Sequence, residues 1–135
     1  MKEGKMVVSG KRKRSVARAV VCEGKGIITI NKKPYQLLPQ IRRFMIEEPI
    51  RIARNVLGDI KYDIAITIKG GGIEAGIEAA RLAIARALVY ATKNNELKKA
   101  FIDYDRNLLI ADTRRKEVYK PGDSKARRKR QKSYR

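Results

Sequence analysis

The chain has 135 residues, 33 Lys plus Arg against 14 Asp plus Glu, no His, and a formal charge of +19. Its length suits one domain, and a hydrophobic content of 43% is enough for a modest core, which argues against disorder throughout. Without His there is no Ser-His-Asp triad and no His-based metal site, and one Cys leaves no intramolecular disulfide and no thiolate cluster.

The first 18 residues hold seven basic residues and one acid, with Lys11, Arg12, Lys13 and Arg14 in a run directly before the first predicted strand. Met6-Val7-Val8 is the only apolar run there, so no signal peptide is read and a cytosolic chain is expected. Ser15 to Cys22 is rich in Val and Ala and has strand length, with Cys22 expected as a small buried hydrophobe. Glu23-Gly24-Lys25-Gly26 is a short glycine-bearing connection before the β-branched Ile27 to Asn31, which predicts a hairpin. A helix follows, with Pro49 suited to its first turn, Ile50, Ala53 and Leu57 on one face, and Gly58 placed to end it.

Lys61 to Lys69 alternates, with Tyr62, Ile64, Ile66 and Ile68 on one face and Asp63, Ala65, Thr67 and Lys69 on the other. Gly70, Gly71 and Gly72 come next. They match neither phosphate-loop pattern, because Ile77-Glu78 stands where Lys-Ser/Thr is required and Ala75 replaces a third glycine. They are read as structural glycines in a tight turn. Ile73, Ile77, Ala80, Ile84, Leu88 and Ala91 then mark an apolar stripe at helical period. Arg81 and Arg86 interrupt the most apolar part, so no membrane span is expected. A shorter helix is predicted from Asn94 or Asn95 through Ala100. The order β-β-α-β-α predicts an α+β fold, a small mixed sheet with packed helices.

Asp103, Asp105 and Asp112 form the one carboxylate cluster that could imitate a two-metal nuclease site, but arginine pairing with Arg106, Arg114 and Arg115 is the plainer expectation. Residues 111–135 carry eleven basic residues and three acids, whereas the 92 residues between the two basic ends have a surplus of only five. The chain therefore divides into a globular body, 1–110 with its basic N-terminal segment, and an extended basic C-terminal tail, 111–135. The tail cannot bury itself, since from Lys120 onward its only aliphatic residue is Ala126. Gln131, Ser133 and Tyr134 among the cations add hydrogen bonding and a stacking ring, which favours RNA as the polyanion. A magnesium-dependent nuclease using Asp103 and Asp105, and a DNA-compacting protein, are the rival classes.

Three blocks of residues are similar to the small-subunit ribosomal protein S9 family. They are Gly10 to Arg18 (GKRKRSVAR), Gly70-Gly71-Gly72 leading through Ala80-Arg81 to Ala85-Arg86-Ala87-Leu88, and a closing block. The closing block comprises Tyr104-Asp105-Arg106, Asp112 with Arg114-Arg115-Lys116-Glu117, Ala126-Arg127, and Gln131 to Arg135. The Ser-Tyr-Arg ending resembles the archaeal and eukaryotic branch, and Ala75-Gly76 stands about where many members have Gly-Gln. The resemblance implies a ribosomal S5 domain 2-like body in the head of the small ribosomal subunit of the cytoplasm, with no catalytic role, no cofactor and no metal. It implies small-subunit rRNA, in its 3′ major domain, as the main partner, with neighbouring head proteins and no membrane. The rRNA-binding residues would be Lys11, Arg12, Lys13, Arg14, Arg114, Arg115, Lys116, Lys125, Arg127, Arg128, Lys129, Arg130 and Lys132. Ser133, Tyr134 and Arg135 would touch the anticodon stem-loop of P-site tRNA, with Arg135 on phosphate.

Overall fold

A computed structural model describes residues 5–119. The chain forms β1 (Met6–Arg12), β2 (Ser15–Glu23), β3 (Ile28–Ile30), β4 (Lys33–Pro34), α1 (Gln40–Leu57), β5 (Tyr62–Lys69), α2 (Ile73–Thr92) and α3 (Asn95–Tyr104). Short 3-10 turns lie at Tyr35–Leu37 and Arg106–Leu108. The strands make one mixed sheet in the order β1-β2-β5-β3-β4, with β3 and β5 parallel and the other pairs antiparallel. This is the expected α+β architecture.

The alternation of β5 appears as read: Ile64 and Ile66 are buried, while Ala65, Thr67 and Lys69 face solvent. Register places Ala17, Ala19 and Val21 of β2 beside Ile68, Ile66 and Ile64, so inward residues line up across neighbouring strands. The α2 stripe covers them, with Ile77, Ala80, Ile84 and Leu88 all buried. Small residues let the layers approach closely. A Cβ on Gly10 would overlap the Ala79 carbonyl oxygen, and one on Gly76 would lie 3.0 Å from Ile68 Cγ2. α3 closes the core with Leu97 and Phe101, and its start is capped by Asn94, whose Oδ1 accepts from the Glu96 amide at 2.7 Å.

Four expectations change. The basic run does not precede the first strand. Lys11 and Arg12 end β1, and Lys13-Arg14 is the turn joining Arg12 to its partner Ser15. Met6–Arg12 hides its strand character because only Val8 and Gly10 are buried. The predicted hairpin between β2 and β3 also does not form, since β5 lies between them. The connection instead wraps the end of β5. Gly24 donates its amide to the Lys61 carbonyl at 2.9 Å, and Asp63 Oδ1 accepts from the Lys25 and Ile27 amides at 2.9 and 2.8 Å.

The first long helix begins at Gln40, which leaves Pro49 in its interior. Pro49 has no amide to give the Met45 carbonyl, but its ring is buried in the core, and the helix continues to a stop at Gly58. Cys22 is half-buried rather than core, because alternation along β2 sends it to the uncovered face of the sheet.

Candidate nucleic-acid interface

The β1–β2 turn, the glycine turn and the segment after α3 meet at one end of the sheet. Gly70 and Gly71 have φ of 72° and 71°, a region that side-chain-bearing residues seldom adopt. Space is also short there: a Cβ on Gly70 would stand 3.0 Å from the Arg14 carbonyl oxygen, and one on Gly71 would stand 2.8 Å from Ser15. The glycine turn therefore lies directly against the basic hairpin.

The segment from Asp105 to Asp112 is held to the body by three arginines. Arg81 of α2 pairs with Glu48 of α1 at 2.5 Å and with Asp105 at 3.1 Å. Arg86 donates to the Leu109 carbonyl at 2.8 Å and to the Ser9 carbonyl at 2.9 Å, joining the segment to β1. Arg12 reaches Glu78 with Nε and Asp112 with Nη1. Arg12 Nη1 and Arg81 Nε are buried and meet their carboxylates as ion pairs without aligned hydrogen bonds. Sequence reasoning assigned no role to Arg81 or Arg86. The available signal was two guanidinium groups within a stretch, Ala79 to Leu88, otherwise made of Ala, Leu and Ile.

Asp112 is the hub. It accepts from the Arg114 amide at 2.8 Å and from Arg114 Nε and Nη2 at 2.9 and 2.7 Å, a two-pronged guanidinium contact. Arg114, with Arg12 adding charge, holds the Asp112 carboxyl far below its ordinary range, and the carboxylate in turn raises Arg114. The expected arginine pairing of the aspartates thus occurs with altered partners: Arg81 for Asp105, and Arg12 with Arg114 for Asp112. Asp103 is exposed. Among the described residues no three acidic or Cys side chains are grouped to hold a metal ion.

A cleft of about 700 Å³ opens between these parts. Lys13 and Arg14 of the β1–β2 turn, Arg115 and Lys116 after α3, and Gly71 and Gly72 all line it. Predicted cations just over a hundred residues apart in sequence thus line one cleft. Lys11 is exposed at the end of β1, whereas Arg12 and Arg114 are turned to carboxylates. Lys125, Arg127, Arg128, Lys129, Arg130, Lys132, Ser133, Tyr134 and Arg135 lie outside the described residues. No helix among the described residues is long and apolar enough to cross a membrane.

Comparison with known sequences identifies the family. The model of the family described as ribosomal protein S9/S16 matches residues 10–135. The chain is 47% identical over 131 residues to the small ribosomal subunit protein uS9 of Thermoplasma volcanium, covering 96% of this chain and 98% of that protein. The protein of the same name from Thermoplasma acidophilum is also 47% identical, over 96% of this chain and all of its own length. That of Methanococcus maripaludis is 46% identical over 93% and 95% of the two chains. With the match running from the β1–β2 hairpin through the glycine turn to the final arginine, the chain belongs to the ribosomal protein S9/S16 family.

Proposed function

We propose that this chain is a structural constituent of the small ribosomal subunit in the cytoplasm, set in the subunit head, where it binds the 3′ major domain of the rRNA. It is a non-catalytic member of a ribosomal family. Its work is charge neutralisation: Lys and Arg placed against phosphates let RNA segments pack closely, with released counterions supplying much of the free energy. The observation that carries this reading is the convergence of Lys13, Arg14, Arg115 and Lys116 on one cleft, while the neighbouring acids Glu78 and Asp112 are consumed by arginine.

In this reading residues 1–110 form the rRNA-binding body, with Lys11, Lys13 and Arg14 at its surface and Arg12 turned to Glu78 and Asp112 beneath them, and residues 111–135 form the tail. Arg114, Arg115 and Lys116 begin the tail's rRNA contacts, which continue through Lys125, Arg127 to Arg130 and Lys132. Ser133, Tyr134 and Arg135 meet the anticodon stem-loop of P-site tRNA, Tyr134 by stacking or hydrogen bonding and Arg135 by charge. Neighbouring head proteins complete the surroundings. If six tail cations sit on phosphates, log K falls against log salt with a slope of about −4 for single-stranded RNA.

The test is a chain lacking Gln131 to Arg135, assembled into subunits. Assembly should proceed, and filter binding should show weaker retention of P-site tRNA. Retention equal to that of the intact chain would refute the tRNA contact.

A further inference from the structure

We propose that the cleft between the β1–β2 turn and residues 114–116 is a single site for the phosphate backbone of one RNA strand, gripped by cations of both segments, with Gly72 as a floor kept bare for it. The proposal rests on the RNA-binding reading above and adds where and how a strand is held.

Charge in the cleft is the first support. Lys13 and Arg14 form no ion pair with a carboxylate among the described residues. Arg115 Nη1 donates to the Asp112 and Arg114 carbonyl oxygens at 3.2 and 3.0 Å, which orients the guanidinium but leaves its charge in place. Lys116 lies 4.7 Å from the centre of the Tyr119 ring, again without neutralisation. Carboxylates near the cleft are engaged elsewhere: Glu74 by Arg42 at 2.8 Å, Glu78 by Arg12, and Asp112 by Arg12 and Arg114. Four unneutralised cations that the fold brings to one cleft repel one another unless an anion lies between them. A cleft of about 700 Å³ lined by four such cations suits a backbone with successive charges better than a lone ion.

Gly72 is the second, independent support. Gly70 and Gly71 are explained by positive φ and by contact with the hairpin. Gly72 has neither reason. Its φ is −90°, open to any residue, and a Cβ there would meet nothing within 4 Å. It is also the N-cap of α2 and makes no side-chain cap bond, although Ser, Thr, Asp or Asn at that place stabilises a helix. Glycine here gives up a few tenths of a kcal/mol relative to a side-chain cap, and it leaves the cleft floor open to close approach by another backbone.

The experiment uses the full chain and a fluorescently labelled oligouridylate, with anisotropy read across a salt series. Gly72→Asp supplies a good cap, so its thermal midpoint should equal or exceed the parent's, while its carboxylate on the floor should weaken binding on the order of fivefold. Lys13→Gln with Arg14→Gln should reduce the salt slope by about 1.4, and Arg115→Gln with Lys116→Gln by a similar amount. With one shared site, the Gly72→Asp effect should largely vanish in the Lys13→Gln/Arg14→Gln chain, because the strand no longer sits over the floor. Normal binding by folded Gly72→Asp, or an undiminished effect in the combined variant, would overturn the single cleft. Absence of salt-dependent binding by the parent chain would instead overturn the RNA-binding reading itself.

Discussion

Replacing Gly10 by alanine puts a methyl group where β1 crosses closest to α2. The new Cβ would overlap the Ala79 carbonyl oxygen and lie 2.8 Å from the Ala83 amide nitrogen. Both neighbours are backbone atoms of a regular helix and cannot swing aside, so strand and helix must separate. Overpacking a filled core costs about 1–3 kcal/mol, and we expect the upper end. Gly58 tests a different cause: φ is 75° and ψ −111°, a glycine conformation outside the left-handed helical region, and nothing lies within 4 Å of its Cβ position, so alanine meets only a backbone penalty of about 1–3 kcal/mol. Gly72→Ser meets neither penalty and should add roughly 0.5 kcal/mol through capping. Urea unfolding followed by far-UV circular dichroism gives the three changes as midpoint shifts at constant m. Gly10→Ala and Gly58→Ala should both lose stability, for these separate reasons, with Gly72→Ser at or above the parent. A Gly10→Ala chain as stable as the parent would show that β1 and α2 are not in backbone contact, and the placement of the basic hairpin beside α2 would fall with it.

Acid should weaken the fold partly through Glu47 on α1. Arg43 and Arg51 hold its carboxyl below the ordinary value, at 2.6 and 2.8 Å. A lowered folded-state pKa means that this stabilisation is present above the unfolded value of about 4.3 and is lost as pH falls through the folded one. The thermal midpoint of Glu47→Gln should therefore fall less steeply with acid than the parent's, and parallel curves would contradict the pairing. Arg86→Gln removes both donors that join Ser9 to Leu109, bonds to a charged group worth about 1.5–3 kcal/mol each. Hydrogen–deuterium exchange should then speed up over residues 105–112 more than elsewhere. Unchanged exchange there would mean that Arg86 does not hold the segment.

Elements whose register depends on their own residues were legible in the sequence. The two-fold alternation of β5, the long stripe of α2, Asn94 before α3 and Gly58 after α1 each carry a local signal. What the sequence hid was set by distant partners. β2 and β3 look like a hairpin because a short glycine connection joins them, yet Asp63, 40 residues downstream of Glu23, grips that connection and seats β5 between them. β1 looks like a charged arm because alternation leaves only Val8 and Gly10 buried. The cations were legible individually. Their meeting at one cleft depends on Arg12, Arg81 and Arg86 finding carboxylates and carbonyls far along the chain, which no local pattern announces.

The central position of β5 fixes the order in which a growing chain can acquire its fold. Before Tyr62–Lys69 has been synthesised, β3 has no central strand to pair with, and the inward side of the β1–β2 hairpin waits for α2, which comes later still. More than half the chain must exist before the sheet can join, a non-local assembly of the kind that folds slowly and exposes apolar surface meanwhile. During that interval the chain's surplus of positive charge keeps the half-built chains apart.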